Sequence, residues 1–424
     1  MEGDDVRNRI RGDQPGSCLA GTTARLIKQP EIKKGNEGMT YFSRSEMSRR
    51  IESLRKKLAA ANIDFAFMHT ADSVFYMSGV PLLSEWGRPM WAILPVSGTS
   101  AVCGAALEQE TMEAHSVFDE VLAYGDDENV VHTSLRMCAD FIARQSSGTV
   151  RIGIEEALMP VGIHRALTAR FSQAEFVEIS PLIEDLRLIK SDEEVRLLEL
   201  GGQLAKIGAN AFLEALHENV TELAVAAHAV AETNKAMGAL SINGLTSTYA
   251  YAQFGDHTLT PHLHPTSRRL KRGDLIALNI FPVMWGYCTE LERTFVFGEP
   301  TQAQKKPLDA VNEAFDAIKL ALKPGVTMSD MALMEREIFR KVDLADYVRH
   351  GTGHALGIMI GAGGREERGE LRIYNSGKLM ANMVNSVEPA VYIPGVGGFR
   401  HSDVMLITED GARNTTDFPR NIGF

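Results

Sequence analysis

The sequence predicts two domains, an N-terminal α/β domain followed by a C-terminal α+β domain. The chain has 424 residues, which is more than one ordinary domain needs. Between residues 41 and 185, short apolar segments alternate with helical patterns, as is typical of an α/β fold. Across residues 186–424, strand-like segments are separated by pairs of helical patterns, which indicates a curved sheet covered by helices.

Residues 1–40 are expected to form a tail outside both domains. Six glycines and alternating charges leave this stretch without hydrophobic periodicity. Either the tail is a poorly ordered terminus or it packs across a partner subunit.

The α/β domain is predicted to begin with a helix at Ser43. Ser43 and Glu46 have the spacing of a capping box, and apolar residues then recur at helical spacing until Asn62. Another helix is predicted near residues 132–145. Short apolar segments bounded by turn residues are predicted as strands, namely Ile63–Met68, Val74–Met77, Met90–Val96, Ala101–Ala106, Val150–Ile154 and Glu175–Ile179.

The boundary between the domains is placed at a second capping box, Ser191 with Glu194, which begins a long amphipathic helix. Pro282 is expected to end one strand of the second domain, because proline cannot donate a ladder hydrogen bond. The predicted strands of this domain are Ser247–Phe254, Leu275–Phe281, Gly286–Val296 and the region 384–407, and its further helices cover 221–237, 302–322 and 328–342.

Composition excludes several classes of protein. The net charge of −11, from 44 basic and 55 acidic residues, argues against a nucleic-acid partner, which requires a basic face. No apolar run approaches the ~18 residues that a membrane span needs, and the first 40 residues lack the apolar core of a secretory signal. Four scattered cysteines are typical of a reducing compartment. We therefore expect a cytoplasmic protein without a membrane or nucleic-acid partner.

Polar residues interrupt four strand-like segments of the C-terminal domain. Buried charge is costly unless it is paired or used, so these residues are candidates for a functional site. The main candidates are His262, Glu292, His354 and Glu388, which offer acid–base groups on rigid strands. Simpler interpretations stay open, because Glu292 with Arg293 would also fit a surface ion pair on a hairpin, and GTGH around His354 would also fit a turn.

Taken in order, four sequence blocks resemble the pita-bread family of methionine aminopeptidase, aminopeptidase P, prolidase and creatinase. The blocks are RLIKSDEEVRLLELGG, PHLHPTSRRLKRGD, RHGTGHALG and SVEPAVYIPGVGGFR. The resemblance covers about residues 43–420. It implies a creatinase-type N-terminal domain over residues 41–185 and a pita-bread catalytic domain over residues 186–424.

The resemblance also implies five ligand positions for two divalent ions, and this chain departs from the family at three of them. The aspartate positions fall on Asn279 and Glu290, the histidine on His354, and the glutamate positions on Glu388 and Ser402. Asparagine and serine are weak neutral ligands, so too little negative charge remains for two ions. We therefore expect no metal and no other cofactor, although a single weak ion between Glu290, His354 and Glu388 stays open.

The segment LNIFPVMWGYCTELERTF resembles the metal-free creatinase branch of the family. That branch implies that His262 is the catalytic histidine and that Glu292 and Glu388 hold a guanidinium group. It also implies that His354 is a further active-site histidine.

Two arginines outside these strands fall on positions where the branch binds a substrate carboxylate, Arg88 in WGRP and Arg365 in GGRE. The chain departs from the branch at Cys288, where the branch has tyrosine, and at Gly361 and Ser402, where it has histidine. The pocket wall therefore differs, and the resemblance does not fix the substrate.

The implied function is metal-independent hydrolysis of a C–N bond in a small guanidino or amidino carboxylic acid, that is, an amidinohydrolase with a creatine-like substrate. In the related enzymes the arginine that corresponds to Arg88 reaches the pocket across a dimer interface, which implies a homodimer. Two alternatives stay open. One is an Xaa-Pro metallopeptidase with a degenerate metal site, and the other is a catalytically silent pita-bread domain that binds peptide or protein.

Overall fold

The computed structural model describes residues 41–81, 88–126, 129–146, 148–240, 245–360 and 367–423. The predicted tail, residues 1–40, lies outside the described residues. In the described part of the chain, no helix is both long and apolar enough to cross a membrane.

The N-terminal domain is a mixed sheet with helices on both faces, which confirms the α/β prediction. Its strands are β1 Phe65–Met68, β2 Trp91–Pro95, β3 Ala101–Ala105, β4 Glu120–Tyr124, β5 Arg151–Ile154 and β6 Glu175–Glu178. Its helices are α1 Arg44–Ala60, α2 Ala71–Ser78, α3 Gln109–His115, α4 Val130–Ala143, α5 Val161–Arg170 and α6 Ser180–Leu188. The strand order is β4-β3-β2-β1-β5-β6, and β1 pairs antiparallel with β2 and parallel with β5.

The first helix begins where the sequence predicts, because the Ser43 side chain accepts a hydrogen bond from the Glu46 N–H at 3.1 Å. The strand predicted over Val74–Met77 is wrong, since these residues lie in α2. Every residue of α2 is buried, so its apolar pattern shows no one-sided periodicity and cannot be told from a buried strand. The helix is capped by Thr70 and ends at Gly79, whose φ of 81° suits glycine.

The C-terminal domain begins with two long helices that pack together. The capping box is confirmed, because Ser191 and Glu194 exchange hydrogen bonds between side chain and backbone. The helices are α7 Asp192–Glu214, α8 Glu222–Ala239, α9 Gln302–Ala321 and α10 Met328–Lys341. The strands are β7 Thr246–Phe254, β8 Leu275–Met284, β9 Tyr287–Cys288, β10 Leu291–Val296, β11 Val384–Val387, β12 Ala390–Ile393, β13 Gly397–Arg400, β14 Asp403–Ile407 and β15 Ala412–Asn414.

Pro282 does not end its strand, so that prediction is wrong. β8 continues to Met284, and Pro282 pairs with Thr248 of β7. The ladder between β8 and β10 ends at the pair Ile280–Leu291 and the ladder between β8 and β9 begins at Val283–Cys288, so Pro282 lies in the gap between the two. Its carbonyl accepts a hydrogen bond from the Thr289 N–H at 3.0 Å.

Helices cover one face of the C-terminal sheets and leave the other face for polar residues. Apolar residues of α7 and α8 pack on β7, β8 and β10, while α9 and α10 pack on β12 and β13. The separate ladders β10-β8-β7 and β11-β14-β15 are joined through a bridge between Glu292 and Ser402. A second bridge, between Ala355 and Asn385, adds the GTGH segment to the edge of β11.

Candidate active site

Strand alternation places two polar side chains next to each other on the face of β8 and β10 that the helices leave uncovered. Leu278 and Ile280 of β8 belong to the core under α7 and α8, so Asn279 between them points to the opposite face. Asn279 pairs directly with Glu292 of β10, and both side chains are buried. Cross-strand partners on one face lie close together, so the register itself brings these two residues into contact range.

Arg400 lies beside this pair, and the sequence analysis assigned it no role. Its Nη2 donates to Asn279 Oδ1 at 3.1 Å and to Glu292 Oε1 at 2.5 Å. Its Nη1 is 3.9 Å from Glu388 Oε2. The available signal was a charged residue in the otherwise apolar strand GGFR, which is buried along its whole length. A buried arginine in such a strand requires carboxylate partners.

His354 and Glu388 are brought together by a short antiparallel ladder. The Glu388 N–H donates to Thr352 O at 2.7 Å, and the Ser386 N–H donates to His354 O at 2.8 Å. The His354 Nε2 lies 3.8 Å from Glu388 Oε1 and 3.4 Å from Glu290 Oε2. The turn interpretation of GTGH is therefore incomplete, because the segment delivers a buried imidazole to two carboxylates.

The site holds three carboxylates, of Glu290, Glu292 and Glu388, against one guanidinium and one imidazole. Burial raises the pKa of Glu292 to about 8; Arg400 opposes the rise, whereas the charges of Glu290 and Glu388 add to it. Burial also acts to raise the pKa of Glu290, but His354 and the Ser402 hydroxyl outweigh it and lower that pKa. Negative charge is therefore crowded at Glu292 and well compensated at Glu290.

Glu292 keeps an oxygen for a ligand. Its Oε1 accepts from Arg400, whereas its buried Oε2 has no hydrogen-bond partner among the described residues. A buried carboxylate oxygen without a donor is costly in a folded protein, and such groups concentrate at functional sites.

The alternative interpretation of Glu292 and Arg293 as a surface ion pair is wrong. Both residues are buried, and the Arg293 guanidinium pairs with Asp403 at 2.8 Å while donating to backbone carbonyls, including that of Ser402. Arg293 thus supports the chain around the site without facing it. His401 is also buried; its Nδ1 accepts a hydrogen bond from the Thr294 N–H at 3.4 Å, and burial, with the nearby charges of Arg293 and Arg420, lowers its pKa.

The donor set does not suit a pair of metal ions. At the two neutral ligand positions, Asn279 Oδ1 accepts from Arg400, and Ser402 Oγ donates to Glu290 Oε1 at 2.8 Å. The guanidinium already supplies a fixed positive charge beside these groups. One ion is a different case, because Glu290, His354 and Glu388 offer ligand atoms that all lie within 4.8 Å of one another.

His262 lies on the loop between β7 and β8, and its side chain is exposed. The buried Gln253 of β7 fixes this loop, since its Nε2 lies within hydrogen-bond distance of the carbonyls of Thr260, Pro261 and Leu263 at 2.9, 3.1 and 2.9 Å. The neighbouring His264 packs edge-on against Tyr251, the strand neighbour of Asn279. The loop therefore lies along the strand that flanks the site, and the catalytic role of His262 stays a prediction.

Of the two predicted carboxylate-binding arginines, only Arg88 is described by the structure, and it does not belong to this cluster. Arg88 lies in the N-terminal domain, where its Nη2 is 3.4 Å from Asp126 Oδ2. Arg365 lies outside the described residues, as does Gly361. Whether Arg88 reaches the site of a partner subunit therefore stays a prediction.

Comparison with known proteins supports the two-domain organisation. Residues 196–409 match the model of metallopeptidase family M24, and residues 50–189 match the creatinase/prolidase N-terminal domain. Creatinase from Bacillus sp. (strain B-0618) is 33% identical over 91% of this chain and 94% of its own length.

Relatives described as peptidases are also similar over almost their whole length. An uncharacterized peptidase of Staphylococcus saprophyticus is 28% identical over 88% of this chain and 100% of its own. The prolidase from Pyrococcus furiosus has a TM-score of 0.73 and 26% identity, and covers 86% of this chain and 100% of its own. The chain therefore belongs to metallopeptidase family M24, as a hydrolase with a creatinase-type N-terminal domain and a pita-bread C-terminal domain.

Proposed function

We propose that this protein hydrolyses a C–N bond of a small guanidino or amidino carboxylic acid without a dinuclear metal centre. The observation that supports this most is the contact of the Arg400 guanidinium with the neutral Asn279, which occupies one of the family's ligand positions, and with Glu292 beside it. Asn279 and Ser402 are neutral at two ligand positions, so too little negative charge remains beside this guanidinium for two divalent ions. The surplus of carboxylates remains available for a cationic substrate.

Glu292 and Glu388 bind the substrate cation in this proposal. The free Oε2 of Glu292 and the carboxylate of Glu388, both buried, accept N–H groups from the guanidinium or amidinium. Hydrogen bonds between charged groups of this kind are strong and fix the plane of the cation. If the site twists one C–N bond out of this plane, the positive charge is less delocalised and water attacks the central carbon more easily.

His262 moves the proton. As water attacks, a C–O bond forms at the central carbon and His262 accepts the proton that the water loses. The C–N bond then breaks as the same proton passes to the leaving nitrogen, and the hydroxyl proton of the carbon product is transferred to the released amine. A guanidino acid would yield urea and an amino acid. His354 lies 3.4 Å from Glu290 and 3.8 Å from Glu388, and it orients the two carboxylates.

The carboxylate end of the substrate is assigned to Arg88 and Arg365. Guanidinium groups bind carboxylates through two parallel hydrogen bonds, so they read the planar end of an amino acid well. Arg88 would come from the partner of a homodimer, and its surface pair with Asp126 is weak enough to exchange for substrate.

A second candidate is a peptidase with one metal ion. Many of the relatives are described as peptidases or dipeptidases, and this support is at least as strong as that from creatinase. Glu290, His354 and Glu388 would hold the ion, which would polarise a peptide carbonyl when bound. In that case Arg400 and Glu292 would contact the substrate rather than replace the metal.

Urea release from a panel of guanidino acids tests the proposal. The panel would include creatine, guanidinoacetate and longer guanidino acids, with cyclic amidines assayed for ring opening and Xaa-Pro dipeptides for free proline. We expect turnover of a guanidino or amidino acid by the wild-type protein and none of the dipeptides. Cleavage of Xaa-Pro dipeptides alone would overturn the proposal in favour of the peptidase.

A further inference from the structure

A buried carboxylate on helix α10 contacts both segments that carry the site. The side chain of Glu335 is 1% exposed and lies under the ladder that joins His354 to Glu388. Its Oε2 accepts a hydrogen bond from the Thr352 hydroxyl, and its Oε1 accepts from the Ala390 N–H at 3.2 Å. Thr352 lies two residues before His354, and Ala390 lies two residues after Glu388.

We propose that Glu335 is a positioning residue, which fixes the separation of His354 and Glu388 by tying Thr352 and Ala390 to one carboxylate. The inference rests on the proposed function only in that His354 and Glu388 belong to the active site.

The backbone ladder alone does not fix the two segments beyond Glu388, so a further link, here called the clamp, is needed. Between the two segments, Glu388 N–H bonds to Thr352 O and Ser386 N–H bonds to His354 O, while the His354 N–H is held by the Ser386 hydroxyl at 3.0 Å. The ladder sets the register, but it ends at Glu388 because Pro389 has no N–H. Glu335 takes over at that point, since the next available N–H is that of Ala390.

The chemistry of Glu335 fits this role better than a purely structural one. Burial raises its pKa to about 7, whereas the hydrogen bonds from Thr352 and Ala390 favour the ionised form. An apolar side chain of the same size would fill the space without the cost of burying a carboxyl group. The group retained here is one whose two oxygens reach two donors on different segments.

Three variants separate clamping from packing. Glu335→Leu keeps the volume and removes both acceptors. Glu335→Gln keeps both links, because its carbonyl accepts from Ala390 and its amide donates to the Thr352 hydroxyl. Glu337→Leu is the matched control, since Glu337 lies on the same helix and faces solvent in a pair with Arg340.

Two readouts are compared for each variant. The first is kcat and KM on the substrate found by the guanidino-acid panel. The second is the ring NMR signals of His354, assigned with a His354→Gln variant, which do not depend on any activity. We expect Glu335→Leu to lower kcat about 10- to 100-fold, the scale usual for residues that orient site ligands, and to shift the His354 signals. Glu335→Gln and Glu337→Leu should stay within about threefold of wild type in kcat and leave the His354 signals in place.

A cycle with Thr352→Val tests whether the two residues act as one link. The double variant Glu335→Leu with Thr352→Val should lose hardly more than Glu335→Leu alone, because the shared hydrogen bond is already gone. Unmoved His354 signals in a folded Glu335→Leu variant would overturn the inference, even if no guanidino acid is a substrate. Shifted His354 signals in a protein without amidinohydrolase activity would support the positioning role of Glu335 and contradict the proposed function.

Discussion

Two buried clusters of charge in this molecule differ in whether their charges are balanced. The first lies between the domains, where Arg50 of α1 is fully buried and its Nε donates to Glu46 at 2.7 Å. Its Nη2 is 3.6 Å from Glu194 of α7, and Tyr287 donates to the same Glu194 oxygen at 2.6 Å. With Arg49 on Glu46, two arginines face two glutamates in this cluster.

The second cluster, at the active site, has three glutamates for one arginine and one histidine, and Glu292 Oε2 has no partner among the described residues. A buried cluster with equal numbers of positive and negative side chains links the two domains and leaves no charge for a ligand to neutralise. A cluster with surplus negative charge is less stable by itself and gains stability from a bound cation. The contrast distinguishes an interface from a site.

Removing His262 should have the largest effect, and only on catalysis. We expect His262→Ala to lower kcat by about 10²–10⁴-fold, because it removes proton transfer, and to change substrate affinity little. His264→Ala is the matched control on the same loop. A kcat near that of wild type for His262→Ala would show that another residue is the base.

Breaking the balanced cluster should act on stability instead. We expect Arg50→Met to lower the free energy of unfolding by about 3–5 kcal/mol, because it leaves Glu46 and Glu194 buried without their shared cation. Arg49→Met, next to it and 44% exposed, should cost less than about 1 kcal/mol. Urea denaturation of both variants measures the difference. Equal losses of unfolding free energy would mean that Arg50 contributes no more to the interface than the exposed Arg49.

Neutralising the surplus negative charge of the active site should raise stability, in contrast to the loss expected for Arg50→Met. The pKa of Glu292 is raised above its ordinary value, so its contribution to stability is present at low pH and is lost as the pH rises through about 8. Glu292→Gln should therefore raise the melting temperature relative to wild type more at pH 9 than at pH 5, while impairing turnover. A difference in melting temperature that does not depend on pH, as expected for the exposed Glu337→Gln, would contradict the surplus-charge interpretation.

The smallest expected effect is that of the conservative change Arg88→Lys, which keeps the positive charge. Arg88→Lys should raise KM, because an ammonium cannot form the two parallel hydrogen bonds of a guanidinium with a carboxylate. Mixing inactive Arg88→Ala and His262→Ala chains should restore activity in half of the hybrid sites if each site draws these residues from different subunits. Verified subunit exchange without restored activity would refute the shared site and leave the hydrolase proposal intact.

Local signals account for most of what the sequence predicted correctly. The N-cap at Ser43 and the capping box at Ser191 involve residues three apart, so they can be read directly; at Ser43 the predicted box is only half formed, because the Ser43 N–H donates to Glu193 rather than to Glu46. The helix over Ala71–Ser78 was missed because burial on all sides removes the periodicity that identifies a helix.

The structure brings together Glu292, His354 and Glu388 of the predicted residues, whereas the role of His262 stays a prediction and the charge balance of the site was not predicted. Arg400 is 121 residues from Asn279 along the chain, and their contact depends on the bridge between Glu292 and Ser402. No sequence pattern near Glu292 or Ser402 predicts this bridge. The role of Gln253 depends in the same way on where a loop folds back, although its position as a polar residue in AYAQF was a visible hint.

Metal content combined with turnover tests the central claim most directly. Purified protein would be analysed for bound metals, and hydrolysis of the active guanidino or amidino acid would be measured before and after treatment with a chelator. The expected result is less than one equivalent of transition metal per chain and unchanged turnover after chelation, because Asn279 and Ser402 supply no negative charge at two of the ligand positions. One or two tightly bound ions per chain, whose removal abolishes turnover and whose return restores it, would contradict the claim.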